Sequence, residues 1–279
     1  MDDLYTLLGR VESDSVVLDL GCGRGSFHYQ ECRGRIIGMD LTLPEEAAHP
    51  TRIAYVRADS SAIPLHNASV DVVLSHHTLE HFLDYKATLA EIRRILSPRG
   101  WVWIAVPNGH GFDDALYRFL FAGGGHVNRF AYQELIDEVQ SVTDTRFVRS
   151  CDLFSGFVYL RRPADDESQR YPGRAGFLSE IPAGFLTFAV GALNISTRLI
   201  DKMCATRFSQ YGWGFVFARQ SMPIDTMPSY FNVCCQCGSG NSAESIKQRS
   251  GRILLGLGLY DCPNCGGAKV FVQPPPDLH

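Results

Sequence analysis

The sequence predicts an α/β fold: seven mostly parallel strands in one sheet, helices on both faces, and a small module after it. Five short runs rich in β-branched and aromatic residues, "SVVLDL", "GRIIGMD", "RIAYVRAD", "SVDVVLSH" and "GWVWIAVPN", follow one another through the first 108 residues. Polar, Gly or Pro residues bound each run, and patterns of helical period lie between them. Two C-x-x-C pairs sit near the end of the chain, apart from the rest. Strands alternating with helices make a parallel sheet covered on both faces, with right-handed crossovers.

In chain order, the amphipathic residues 3–10 predict a short helix, and the runs at 15–20, 34–40, 52–59, 69–76 and 100–108 predict the first five strands. "DYKATLAEIRRILSP" (84–98) sets Tyr85, Leu89, Ile92, Ile95 and Leu96 on one helix face, with Pro98 and Gly100 as stop signals. "GHGFDDALYRFLFAGGGHVN" (109–128) reads as a loop that the glycines at 123–125 free to bend. "RFAYQELIDEVQS" (129–141) reads as a helix, then "TRFVRSCDLF" (145–154) and "YGWGFVFARQ" (211–220) as the last two strands.

Residues 156–210 interrupt those two strands and read as an insertion over the site; the plainer alternative is a peripheral helical subdomain. Within it, "AGFLTFAVGAL" (183–193) is followed at once by Asn194, Ser196, Thr197 and Arg198. This is short of the roughly 18 apolar residues of a membrane span, so it reads as a buried helix, with a lipid-facing helix as the alternative. "SMPIDTMPSY", with Pro223 and Pro228, reads as a linker. The expected organisation is 1–222 for the main domain, 223–230 for the linker and 231–279 for the module.

The 279 residues are 45% hydrophobic and 20% charged, as in a globular protein. With 26 basic against 30 acidic residues the net charge is −4, which argues against a broad nucleic-acid surface. Nine cysteines, an odd count, and a first segment that is acidic rather than basic and apolar point to the reducing cytoplasm.

Chemistry concentrates at "VLDLGCGRGSFHYQECRGRIIGMD" (17–40). A strand, a Gly-rich turn and an acid ending the next strand form a nucleoside-binding device. Glycines let the backbone approach, free N–H groups face the ligand, and the acid accepts from ribose hydroxyls. Dinucleotide sites want G-x-G-x-x-G. Here Gly21, Gly23 and Gly25 give G-x-G-x-G, and Asp19 precedes them, an anion suited to an ammonium or sulfonium.

These residues resemble motif I of the class I S-adenosylmethionine-dependent methyltransferases, which have a Rossmann-like fold. "VRADSSAIPLHNASVDVVLSHHTLEHF" (56–82) and "FLDYKATLAEIRRILSPRGWVWIAVPN" (82–108) resemble the family's next motifs, with the type 11 subgroup the nearest in pattern. The resemblance covers roughly residues 12–154. It implies that Asp19, Gly21, Cys22, Gly23 and Gly25 surround the methionine moiety of S-adenosylmethionine. Asp40, with Leu41 beside it, would hold the ribose, and Asp59 and Ser60 would face the adenine. Ser75 and His76 would lie near the methyl group. Asp19 has a second role open to it, orienting the glycine loop.

A base is needed only for a protonated, weakly acidic acceptor. Among His76, His77, His81 and His126, the candidates are His126, in a mobile loop or capping the next helix, and His77, which follows the fourth strand. "SHHT" stands where amino-methylating enzymes resemble "NPPY", and no metal-site acids accompany the core. The expected acceptor is therefore a hydroxyl of a small molecule, sugar or lipid-linked glycan. The competing readings are an RNA or protein methyltransferase docked through the module, and a non-catalytic cofactor-binding scaffold.

Cys234-x2-Cys237 and Cys262-x2-Cys265, each followed by Gly, offer four thiolates to tetrahedral Zn2+ and resemble a zinc ribbon. A fifty-residue module has little apolar material, and metal binding would supply folding free energy on the order of 10 kcal/mol. Partner contact, dimerisation and cover over the acceptor are all open roles for the ribbon, and peripheral membrane contact is open for the chain.

Overall fold

The computed structural model describes residues 3–43 except 24 and 28, 53–154, 157–160, 171 and 173–222. After these it describes 230–234, 240–242, 246, 248–254, 257–262 and 265–271. The chain begins with helix α1 (Asp3–Leu8), then strands β1 (Val16–Leu20), β2 (Arg35–Asp40), β3 (Ile53–Arg57) and β4 (Val70–His76). Helix α2 (Tyr85–Ile95) leads into β5 (Leu96–Pro107), and helices α3 (Phe112–Leu120) and α4 (Tyr132–Thr143) precede β6 (Arg146–Phe154). Helix α5 (Ala183–Cys204) and β7 (Gln210–Ala218) follow. The last part holds β8 (Tyr230–Val233), β9 (Gly240–Ser242), β10 (Ser250–Leu254), β11 (Leu257–Asp261) and β12 (Ala268–Phe271).

The first seven strands lie in the order β3-β2-β1-β4-β5-β7-β6, with β7 antiparallel to both neighbours. This is the expected Rossmann-like sheet. The period of two along each strand sorts its side chains. Leu18, Leu20, Val73, Val102, Ile104, Phe215 and Phe217 pack on one face with Leu89 and Ile92 of α2 and Leu135 and Val139 of α4. Val17, Val72, Leu74, Trp101, Trp103 and Val216 pack on the other with Leu4, Leu7 and Leu8 of α1. Both faces are buried, so the strands read as continuous apolar runs. Asp84 caps α2, accepting from Ala87 N at 2.9 Å.

Four expectations are corrected. The segment after β5 is not all loop, because Phe112–Leu120 is helical, with Gly111 at its N-cap. Its buried residues are Asp113 and Asp114, while Phe112 and Phe119 face outward, so the apolar pattern points the wrong way. Leu96 is the first residue of β5, not the last of α2. The stretch 183–193 is not a buried helix. It opens the 22-residue α5, which buries Leu186, Val190, Asn194, Thr197 and Arg198 and exposes Phe185 at 60% and Phe188 at 72%. By length and composition alone α5 could cross a membrane. The guanidinium of Arg198, fully buried, lies 4.5 Å from the centre of the Phe154 ring, tying α5 to β6.

The fourth correction is that the C-terminal module is not set apart at residue 231. Among the described residues the main sheet has nine strands: β8 pairs parallel with β6 and β9 antiparallel with β8. The remaining strands form a separate sheet in the order β10-β11-β12. The expected linker, apart from Tyr230, lies outside the described residues.

Candidate active site

The carboxyl ends of β1, β2 and β4 meet at one edge of the sheet, where open parallel sheets bind ligands. Here β1 runs into the glycine turn, whose N–H groups at Gly21 and Cys22 donate to Met39 O at 2.8 and 3.1 Å. Gly21 has φ +73°, and a Cβ on it would lie 2.6 Å from Thr78 Cγ2. Only glycine lets the turn pass so close to the segment after β4. Gly23 also has positive φ, but its Cβ position faces open space.

Asp40, ending β2, accepts from Gly23 N at 2.9 Å and Thr42 N at 3.0 Å, so it shapes the turn from below. A carboxylate has further lone pairs for ribose hydroxyls. Asp19 is fully buried; its Oδ2 accepts from Ser26 N at 3.1 Å and from the Tyr29 hydroxyl at 2.6 Å. The loop-orienting role is therefore filled. Its Oδ1, also buried, has no hydrogen-bond partner among the described residues. Burial pushes its pKa up, against the hydrogen bonds from Ser26 and Tyr29. Burial also raises the Cys22 thiol to about 12, so Cys22 is a packing residue.

A cavity of about 430 Å³ opens at this edge. Gly21, Asp40, Leu41, Asp59 and Ser60, all anticipated, line it, together with Met39, Ala58, Thr78, His81, Phe82 and Leu83. Asp59 accepts from Ser61 N and Oγ, both at 2.8 Å, which hold its carboxyl below the usual range. Ser60 shares a hydrogen bond with Thr88. Gly23, Gly25, Asp19 and Cys22 are not among the lining residues. Among the described residues, no part of 156–210 contributes to the cavity.

Ser75 and His76 are not in the lining. Ser75 is buried and hydrogen-bonded to Thr78. His76 faces Trp103, whose Nε1 donates to its Nδ1 at 3.4 Å, and burial lowers its pKa to about 3. It stays neutral. His77 has φ +54°, an uncommon left-handed conformation for a non-glycine residue. Its ring stacks on Tyr211 at 5.7 Å, and its Nδ1 lies 3.8 Å from Glu80 Oε1.

His126 is not a cap, since α4 starts six residues later. Its Nδ1 is 2.7 Å from Asp114 Oδ1, and its ring lies 4.4 Å from that of Tyr117 and 4.8 Å from that of His81. Arg118 donates to His126 O, Asn128 O and Asp114 Oδ2. Burial would raise the Asp114 carboxyl, but hydrogen bonds from His126 and Arg118 prevail and hold it below the usual range. Ionised Asp114 thus accepts a hydrogen bond from Nδ1–H of His126. The sequence concealed Glu80, Asp114 and Tyr211, which come together only through the fold.

In the module, Cys234, Cys262 and Cys265 bring their sulfurs within 4.8 Å of one another. Cys262 turns back through Gly266 N to its own carbonyl at 2.9 Å, with Gly266 at φ +68°. Three converging thiols suit a thiolate-bound metal. Cys237, the expected fourth, lies outside the described residues.

Residues 18–104 match the family described as Methyltransferase domain. This part of the chain is similar to a methyltransferase domain. Its relatives include a malonyl-[acyl-carrier protein] O-methyltransferase of Yersinia pestis, 35% identical over 129 residues, 44% of this chain and 48% of that protein. A probable S-adenosylmethionine-dependent methyltransferase of Mycobacterium tuberculosis is 30% identical over 151 residues, 50% of this chain and 52% of that protein. The chain thus spans about half the length of the curated relatives it matches. A SAM dependent methyltransferase from Archaeoglobus fulgidus superimposes with a TM-score of 0.50 at 15% identity, covering 77% of this chain and 89% of that one. That likeness is one of fold. The site fits S-adenosylmethionine on its own geometry: Asp19 Oδ1 without a hydrogen-bond partner among the described residues, an open Gly23, and two carboxylates lining one cavity.

Proposed function

We propose that this chain binds S-adenosylmethionine and transfers its methyl group to an oxygen, a hydroxyl of a small molecule, sugar or lipid-linked glycan. The observation that carries the reading is a single cavity in which Gly21, Asp40 and Asp59 share the lining with His81, whose ring touches that of His126. The O-methyltransferase name of the relative from Yersinia pestis supports an oxygen acceptor.

When bound, the cofactor supplies an electrophilic methyl group on a sulfonium. Asp40 holds the ribose hydroxyls, Asp59 faces the adenine, and Asp19 offers its bare Oδ1 toward the cationic end while its other oxygen fixes the glycine turn. Phe82 and Leu83 cover the nucleoside and exclude water. Two imidazoles can take the acceptor proton. Asp114 holds His126 in the tautomer with its lone pair on Nε2, the arrangement of an oriented general base. His77, at the carboxyl end of β4, is the other. Zn2+ belongs in the module, held by Cys234, Cys262 and Cys265 with Cys237 as the fourth thiolate. The odd count of nine cysteines suits the reducing cytoplasm.

Titration calorimetry of the full chain with S-adenosylmethionine tests the reading. Wild type binds, and Asp40→Ala weakens binding by about 100-fold, roughly the loss of a charge-assisted hydrogen-bond pair. A folded wild type that binds no cofactor overturns it.

A further inference from the structure

Glu80, His81 and His126 each bring a ligand atom to one place beside the cavity, and the three atoms lie within 4.8 Å of one another. Glu80 and His81 belong to the 3-10 turn Leu79–His81, and His126 to the glycine loop ahead of α4. The two segments are fastened together: Val127 and Asn128 N–H both donate to Glu80 O, at 2.9 and 3.1 Å, and Asn128 Nδ2 donates to Phe82 O at 2.7 Å.

Three features point to a ligand rather than to packing. Glu80 is 1% exposed, yet its Oε2 has no hydrogen-bond partner among the described residues. A buried carboxylate oxygen left bare is costly and calls for a counter-charge. Asp114 accepts a hydrogen bond from Nδ1–H of His126, and a carboxylate on the far nitrogen is the usual support of a metal-ligating histidine. Gly125, at φ +78°, lets the loop close on His81 so tightly that a Cβ there would stand 3.1 Å from His81 Nδ1.

We propose that Glu80, His81 and His126 form a binding site for a divalent transition-metal cation. Two imidazoles and one carboxylate suit Zn2+ and its neighbours Mn2+, Fe2+ and Co2+, and three protein ligands leave coordination positions open. His81 also lines the cavity that holds Asp40 and Asp59, so an open position adjoins it. A hydroxyl coordinated there loses its proton more readily. With the cation in place His126 Nε2 is a ligand, and the proton passes to His77. Metal binding is measured without cofactor, so this inference and the methyl-transfer reading fail separately.

The test titrates Co2+ into the full chain already saturated with Zn2+ at its cysteines, followed by visible absorption and calorimetry. The expected result is one further equivalent with weak visible bands and no near-ultraviolet thiolate charge transfer. Glu80→Gln, nearly isosteric, abolishes it, and Asp114→Asn weakens it by about 10–100-fold. His81 is exposed, so His81→Ala keeps the fold, verified by circular dichroism, and also loses the equivalent. The proposal is overturned if folded wild type takes no further equivalent. It is equally overturned if that equivalent carries thiolate absorption or ignores all three substitutions.

Discussion

Asp113 and His76 are two buried titratable groups whose protons pull stability in opposite directions. Burial is the main cause in both. It raises the Asp113 carboxyl to about 7, against a hydrogen bond from Phe157 N, and lowers His76 to about 3, helped by the charge of His77. Between the unfolded carboxyl value and pH 7 the native state holds a proton on Asp113 that the unfolded chain has lost, so this group's contribution falls as pH rises. Between pH 3 and the unfolded imidazole value the unfolded chain holds a proton that native His76 lacks, so that contribution falls as pH drops. Each is worth roughly 4–5 kcal/mol at most, and over pH 4–6.5 the two nearly cancel. Asp113→Asn removes one and leaves the other. Denaturant unfolding at a series of pH values is expected to give a shallow profile for wild type and, for the variant, stability climbing by about 2–3 kcal/mol from pH 4 to 6.5. A variant profile as shallow as wild type's rules the account out.

At the scale of elements, the strands were legible because burial on both faces leaves little but apolar residues in them. Asp19, at the end of β1, was the informative exception. Helices α3 and α5 were less legible, and for one reason. Helix α3 buries Asp113 and Asp114, and α5 buries Asn194, Thr197 and Arg198, while both turn phenylalanines outward. Besides Arg118, one turn from Asp114, the groups that meet their polar residues inward are Phe157 N, His126 and the Phe154 ring, which lie outside each helix and which no periodicity announces. The glycine motif, local in sequence, was readable, whereas the cluster of Glu80, His126 and Asp114 spans two segments and was not. The inversion of α5 has a measurable consequence. Phe188→Ser is expected to change unfolding free energy by less than about 0.5 kcal/mol. Leu186→Ala, which opens a hole against Ala175 and Leu178, costs about 2–4 kcal/mol. Equal losses from the two substitutions would mean that the phenylalanine face is covered.

For the whole molecule, the question is how the metal module and the cofactor site depend on each other. The module adds β8 to the outer edge of β6 through the pairs Asp152–Tyr230, Leu153–Phe231 and Phe154–Asn232. Cys234 follows β8 directly, and Cys262 follows β11, so one metal on these sulfurs would tie the edge of the main sheet to the three-stranded sheet. Without it the short strands lose the term that offsets their ordering entropy, and β6 becomes an unpaired edge. The cofactor cavity is built at the other side of the sheet, from the ends of β1 and β2 and the turn after β4, and its core does not include the module. Stripping Zn2+ with a chelator, or Cys262→Ser, is therefore expected to release one metal equivalent. It should also speed amide exchange in 146–154 and 230–262 by about 100-fold or more and promote aggregation. Affinity for S-adenosylmethionine should stay within about threefold, less than the tenfold that 1.4 kcal/mol would give. Should cofactor affinity collapse together with the metal while the circular dichroism of the main sheet persists, the module would have to reach the cavity, and the separation argued from the strand order would be wrong.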